Sequence, residues 1–323
     1  MSRHALATPL AACLLLAQPG VGALAWAGEP ADARPAASVR IEGVGRFAPL
    51  ALVGESIAVR GAVSHAVRAE RIAVHLYQNG RIIARRSVAI ERLRSGAGSF
   101  STSFPMHRTG AVRVVAYHAP GAGVGRFAAA SQTVAVITPA LTQGDRGPAV
   151  WLLQRALARL HYAIPQSGYF DEASADAVIA YRKMTGLERV PRVQARLWRD
   201  LRRGAGAYRV RFPWDGRHIE ADLERQVLVE VDAGGRVHAI YPTSSGKPST
   251  PTLIGHFAVY RQEPGVNSEQ MYDSSYFISG YAIHGYPEVP TYAASHGCLR
   301  LPNLDAPAVF SWIRIGTPVD VYD

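Results

Sequence analysis

The feature that most constrains this chain is the period of its apolar residues, which changes twice. From about Ser38 to Val136 apolar and polar residues alternate, as in Ser56-Ile57-Ala58-Val59-Arg60, where Ile57 and Val59 share one face. A period of two belongs to half-buried strands. Ile72-Ala73-Val74-His75-Leu76-Tyr77 continues the pattern, Asn79-Gly80 interrupts it, and Arg81-Ile82-Ile83-Ala84 resumes it. Asn-Gly tolerates the two positive φ angles that a two-residue hairpin turn needs. Runs at 99–104 and 112–117 add further strands. Short strands separated by turn signals predict a β-sandwich over 38–138, expected as an Ig-like spacer. No cysteine pair braces it, and it carries no catalytic constellation.

After Thr138-Pro139 and Gly144-Asp145-Arg146-Gly147-Pro148 the period becomes helical. Val150, Leu153, Leu157 and Leu160 fall on one helix face. Asp171 or Ser174 predicts the cap of a second helix carrying Ala177, Val178, Tyr181 and Met184. Pro191 precedes a third, with Val193, Leu197 and Leu201. Residues 139–204 therefore read as a small three-helix bundle. Alternation returns near Tyr208, with Ile219, Ala221 and Leu223 on one face. Runs at 227–231 and 236–241 flank Asp232-Ala233-Gly234-Gly235, a hairpin signature, and 257–260 and 276–278 read as further strands. The expected fold class is thus multidomain and mostly β: a sandwich, a helical bundle and a β-rich piece over 205–323.

The first residues are a targeting segment rather than part of a core. Arg3 and His4 precede an apolar stretch, Ala5 to Ala17, and Ala25-Trp26-Ala27 offers an A-x-A cleavage site, which predicts a signal peptide over 1–27. Leu10-Ala11-Ala12-Cys13 also has the layout of a lipobox, and an uncleaved anchor is a third alternative. Residues 28–37 form a Pro/Ala-rich leader. No apolar run of about 18 residues follows, so the mature chain is not expected in a membrane unless it is lipidated or uncleaved. The expected location is secreted, in the cell envelope.

The net charge is +10, and 33 of the 35 basic residues are arginine. It is uneven: +8 over 28–139, +5 over 140–204 and −4 over 205–323. A basic front half suits either an anionic polymer or a plain solvated surface. No zinc-finger spacing, P-loop or RNP-like motif is present, so no nucleic-acid partner is expected.

Cys13 and Cys298 are the only cysteines. Two thiols so far apart rule out a disulfide-dense mini-domain and a four-thiolate zinc site. Once 1–27 is removed, Cys298 stands alone, within Ala282-Ile283-His284-Gly285-Tyr286 and Ser295-His296-Gly297-Cys298-Leu299-Arg300-Leu301-Pro302-Asn303. A nucleophilic thiol needs a base to take its proton and amide donors to hold the oxyanion. His284 closes an apolar strand and a returning loop would bring it opposite Cys298; His296 would share a face with Cys298 on a strand. Gly297 allows close backbone approach. From residue types alone several classes stay open. A metal site lacks a further clear ligand, so no metal is expected. A papain-like protease usually has its Cys before its His, which is reversed here. A buried, inert Cys with hydrogen-bonded histidines is the structural alternative.

The signature His-Gly followed by Ser-His-Gly-Cys-x-Arg resembles that of the YkuD-type L,D-transpeptidase catalytic domain. Ser244-Ser245-Gly246-Lys247 and Thr252-Leu253-Ile254-Gly255-His256-Phe257 resemble further family segments, with Leu253 where Pro is usual, and Gly316-Thr317-Pro318-Val319 resembles the closing strand. The helical stretch is similar to a peptidoglycan-binding module at Gly144, Gly147, Val150, Leu153-Gln154, Leu157, Tyr162, Gly168, Phe170, Ala177-Val178, Gly186-Leu187 and Trp198. It departs at Ser174 and at Tyr181-Arg182.

The resemblance implies an enzyme in which Cys298 is acylated and His284 is its base, oriented by the Gly285 carbonyl. Ser295 and His296 would support them, and the Gly297 and Cys298 amides would form the oxyanion hole. Arg300, Tyr281, Tyr286 and Asn303 are expected at the substrate. The implied reaction attacks a peptidoglycan tetrapeptide stem after its third residue, expels D-alanine and passes the acyl group to an amine, giving a 3→3 crosslink. Water as acceptor would make the enzyme an L,D-carboxypeptidase; a non-catalytic wall-binding protein is the remaining alternative. The reaction exchanges one amide for another, so no cofactor is expected. The expected partners are stem peptides and the glycan wall, and carbapenems should acylate Cys298.

Overall fold

The computed structural model describes residues 37–44, 50–66, 69–119 and 126–323. The expected signal over 1–27, and all but the last residue of the expected leader, lie outside the described residues. The fold is mostly β and multidomain.

The front piece comprises β1 (Ala37–Glu42), β2 (Leu50–Leu52), β3 (Ser56–Val63), β4 (Arg71–Gln78), β5 (Arg81–Ala89), β6 (Glu91–Arg92), β7 (Gly98–Pro105), β8 (Gly110–His118), β9 (Phe127–Ala130) and β10 (Val134–Ile137). One sheet runs β1-β3-β7-β6; the other runs β2-β10-β8-β4-β5, with β9 on β8. Burial alternates at every residue of β3, as period-two patterning requires. Its inward side chains meet Ile72, Val74, Phe100, Phe104 and Val114 in one apolar core. Asn79 (φ 49°) and Gly80 (φ 80°) make the β4–β5 turn, with the positive angles of a tight hairpin.

The middle piece contains β11 (Leu141–Thr142), α1 (Pro148–Ala158), α2 (Glu172–Met184), β12 (Arg192–Val193) and α3 (Ala195–Arg202). Asp171 caps α2 by accepting the Ser174 amide at 2.9 Å. Val193 is not on the third helix as expected. It pairs with Leu141 across β11–β12, so its backbone is committed to a ladder before α3 begins at Ala195. The helices are also not a self-contained bundle. Val150, Leu153, Leu157, Val178 and Trp198 share one core with Leu50, Leu52 and Ile137 of the sandwich. The same core takes in Val227, Val229, Val231 and Ile240 of the last piece. Arg202 adds a two-pronged ion pair to Glu55, at 2.9 and 3.0 Å.

The last piece holds β13 (His218–Asp222), β14 (Val227–Val231), β15 (Val237–Pro242), β16 (Gly255–Ala258), β17 (Arg261–Val266), β18 (Tyr272–Ile278), β19 (Tyr281–Tyr286), β20 (Leu299–Pro302), α4 (Ala306–Trp312) and β21 (Pro318–Tyr322). Two sheets, β15-β14-β13-β21-β16 and β17-β18-β19-β20, enclose Ile219, Leu228, Ile283, Leu299 and Val319. Every residue of β13 and β14 is buried. The helices cover the outer face of β14. Over β13 the chain at 208–212 does so, where Glu220 accepts the Arg211 and Phe212 amides and the Tyr208 hydroxyl. Among the described residues no helix is long and apolar enough to cross a membrane.

Candidate active site

β19 and β20 pair in parallel, with Ile283 opposite Leu299 and His284 opposite Arg300. Ile283 and Leu299 point into the core between the sheets. Side chains alternate along strands, so His284 and Arg300 emerge on the other face, together with Cys298 just before β20. These three line a cleft of about 400 Å³ with Tyr281, Tyr286, Ser295 and His296. Glu269, Met271 and Gly280 complete it. Sequence reasoning missed those last three, because they come from turns beside β18 that carry no chemical motif. A larger cavity, about 650 Å³, lies beside Tyr208, Arg211, Trp214 and Arg225 but is lined by neither cysteine nor histidine, and its one carboxylate, Asp222, is paired with Arg225, so the cysteine chemistry belongs to the smaller cleft.

His284 is 2% exposed, and its Nδ1 lies 2.8 Å from the Gly285 carbonyl oxygen. A carbonyl only accepts, so Nδ1 carries the proton and Nε2 is the basic nitrogen. Burial pulls the His284 pKa down to about 4; the Gly285 carbonyl opposes this and the Arg300 guanidinium reinforces it. Burial pushes the Cys298 thiol up, against the Ala282 backbone and Arg300, which favour thiolate. Both shifts disfavour an imidazolium–thiolate pair, so at neutral pH the resting pair is imidazole and thiol.

Ser295 is a buried brace. Its hydroxyl donates to the Cys298 carbonyl at 2.6 Å and accepts the Gly297 amide at 3.0 Å. This corrects the expected oxyanion hole: the Gly297 N–H is engaged by Ser295, while the Cys298 amide has no acceptor among the described residues. Gly297 is required for shape. Its φ is +121°, and a Cβ there would lie 2.5 Å from the Tyr281 ring. Thr252 Oγ1 holds the Gly297 carbonyl at 2.8 Å. His296 is exposed, and its Nε2 accepts from the Lys247 ammonium at 3.0 Å. The Arg300 guanidinium stacks 4.0 Å over the Tyr286 ring, which fixes its height in the cleft.

Gly285 and Gly297 support the cleft from behind rather than line it, and Asn303, expected at the substrate, does not reach it. It follows β20 toward α4, where its Oδ1 packs 2.7 Å from the position a Cβ on Gly285 would occupy. One residue past the strand, the chain has already turned. One group of metal-type ligands, Asp215, His256 and Asp320, occurs among the described residues, away from the cleft.

Residues 216–321 match the L,D-transpeptidase catalytic domain, YkuD, and residues 146–190 match a putative peptidoglycan binding domain. No curated protein matches the chain. Among solved structures, the L,D-transpeptidase of Xylanimonas cellulosilytica is 34% identical with a TM-score of 0.52, over 58% of this chain and 98% of that one. The catalytic domain of the Enterococcus faecium L,D-transpeptidase is 29% identical with a TM-score of 0.30, over 33% of this chain and 98% of that one. The match to nearly the whole of the solved Xylanimonas chain, joined to a cleft that His284 and Cys298 both line, makes this chain an enzyme of the L,D-transpeptidase family.

Proposed function

We propose that this enzyme forms 3→3 crosslinks in peptidoglycan, with Cys298 as nucleophile and His284 as general base. One observation carries the reading. The Gly285 carbonyl claims the Nδ1 proton of His284, which leaves Nε2 basic in the cleft that Cys298 also lines.

The sulfur attacks the carbonyl carbon of the third stem residue while His284 Nε2 takes the thiol proton. The Cys298 amide donates to the oxyanion as it forms. Collapse breaks the peptide bond, and the imidazolium returns its proton to the departing D-alanine amine, leaving a thioester. An acceptor amine from a second stem then attacks the thioester and loses a proton to His284. The thiolate leaves and is reprotonated. Ser295 and His296 hold the loop, and Arg300 pairs with a substrate carboxylate, flanked by Tyr281 and Tyr286. Residues 139–204 hold the enzyme on the wall. The family acts on the cell wall, outside the cytoplasm; for this chain we infer secretion through residues 1–27. With water in place of the amine, the same thioester gives L,D-carboxypeptidation.

The test compares wild type with Cys298→Ser on purified tetrapeptide muropeptides, with and without an acceptor stem. Mass spectrometry should show D-alanine release and a crosslinked product from wild type alone. Equal release from both proteins sinks the assignment of Cys298. Release without crosslinked product moves the enzyme to the carboxypeptidase reading.

A further inference from the structure

Two cations of the helical piece reach across to the catalytic piece. Lys183, near the end of α2, is 3% exposed. Its ammonium donates to the Thr243 carbonyl at 2.7 Å and the Gln226 carbonyl at 3.0 Å. A buried ammonium is costly unless its protons are used, and here backbone oxygens of another domain use them. Arg189, just beyond α2, donates to the Thr291 carbonyl at 2.6 Å and the Glu224 carbonyl at 3.1 Å.

Three of these residues, Gln226, Thr243 and Thr291, lead to the loop that carries the nucleophile. Gln226 holds Ser245 through both of its side-chain amide atoms, at 2.6 and 2.9 Å. The Ser245 carbonyl accepts the Ala294 and Ser295 amides. Thr243 Oγ1 and the Ser244 amide both donate to the Arg300 carbonyl, and Ser244 Oγ donates to the Tyr292 carbonyl. Ser295 then bonds the Cys298 carbonyl. The path from Lys183 to the nucleophile is therefore a continuous run of hydrogen bonds, most of them to backbone. Arg189 enters the same loop directly, at Thr291.

We propose that Lys183 and Arg189 are positioning residues: from the helical piece they fix the loop at 291–298, and with it the approach of Cys298 to the scissile carbonyl. The inference rests on the reading of Cys298 as the nucleophile. It gives the helical piece a second role, as part of the frame of the active site, beside any role in holding the wall. Neither cation touches substrate. Their effect passes through Ser244, Ser245 and Ser295, and displacements of about 1 Å at a reacting atom cost up to ~100-fold in rate.

The experiment uses the full chain and four variants: Arg189→Ala, Arg189→Lys, Lys183→Met and Cys298→Ser. Two rates are read: acylation by the carbapenem imipenem, followed by intact-protein mass, and D-alanine release from tetrapeptide. Arg189 is only half-buried, so its variants should fold. Arg189→Ala should lower the acylation rate and kcat about tenfold with KM and sacculus binding unchanged, and Arg189→Lys, which keeps a donor for Thr291, should recover most of the loss. Lys183→Met should lower both rates further; if it fails to fold, the Arg189 pair decides. Wild-type rates in a folded Arg189→Ala overturn the proposal, as does a loss that Arg189→Lys does not recover. A wild type that imipenem does not acylate, or D-alanine release by Cys298→Ser, instead removes the nucleophile reading beneath it.

Discussion

The sandwich and the catalytic piece are both built from short strands, yet they use them differently. In β3 of the sandwich every second residue is buried and the rest face solvent. In β14 of the catalytic piece all five residues are buried. The difference lies in what covers the outer face. The front sheets close on each other and, apart from β2 and β10 against the helices, leave their backs to water, whereas β14 has a sheet on one side and the helices on the other. A strand covered on both faces is tied to two neighbours at once, and a change there is felt in both.

The largest effect should follow from breaking that double cover. Val229→Asp puts a carboxylate into the core shared by helices and sheet and should cost about 4 kcal/mol. Ser101→Asp, on the open face of β7, should change stability by less than about 0.5 kcal/mol. Urea unfolding of the two variants measures the contrast, and equal losses would erase it. Next, Gly297→Ala forces a side chain toward Tyr281 at a strained φ and should lower kcat about 100-fold, with a much smaller loss of stability. A kcat near wild type would show that the nucleophile loop tolerates a shift that its packing forbids on geometry alone.

The pH–rate profile sharpens the same contrast, because burial governs it. The base must be neutral, and burial holds His284 at about 4. The acid limb of kcat/KM for acylation should therefore fall near pH 4 rather than near 6.5, with the alkaline limb displaced upward with the Cys298 thiol. An acid limb at 6.5 would mean that substrate finds His284 solvated. The smallest effect concerns Glu230 on β14. Burial raises its carboxyl to about 8, so the folded state keeps a proton that the unfolded chain releases near 4.5. Stability contributed by that protonated group is present at low pH and is lost as pH rises through about 8. Glu230→Gln should thus be close to neutral at low pH and increasingly stabilising as the pH rises toward 9, read from thermal melts.

What the sequence made legible divides along the same line. The β4–β5 turn was readable because Asn79-Gly80 encodes its own backbone angles, and α2 because Asp171 supplies its own cap. Cys298 stood out because the chain has only two cysteines, and His284 because a His-Gly pair precedes the Ser-His-Gly-Cys run. Features decided by a distant partner were hidden. Val193 joined a strand because Leu141 met it there. The Gly297 amide was engaged because Ser295 folds back over it, and Asn303 left the cleft because the chain turns toward α4. Glu269 and Met271 reach the cleft only through the β17–β18 connection, and turn residues outside any chemical motif advertise nothing. The joint core of helices and sheet was equally invisible, since an apolar helix face looks the same whether it meets another helix or a strand.

The raised pKa of Cys298 has a consequence for the lifetime of the enzyme. Peroxides and disulfides react with thiolate far faster than with thiol. Outside the cytoplasm there is little reducing power to repair a lone cysteine once it is oxidised. On the proposed mechanism, a sulfur that stays protonated until His284 takes its proton during attack meets oxidants more slowly between turnovers, so the burial that disfavours ionisation would also preserve the nucleophile.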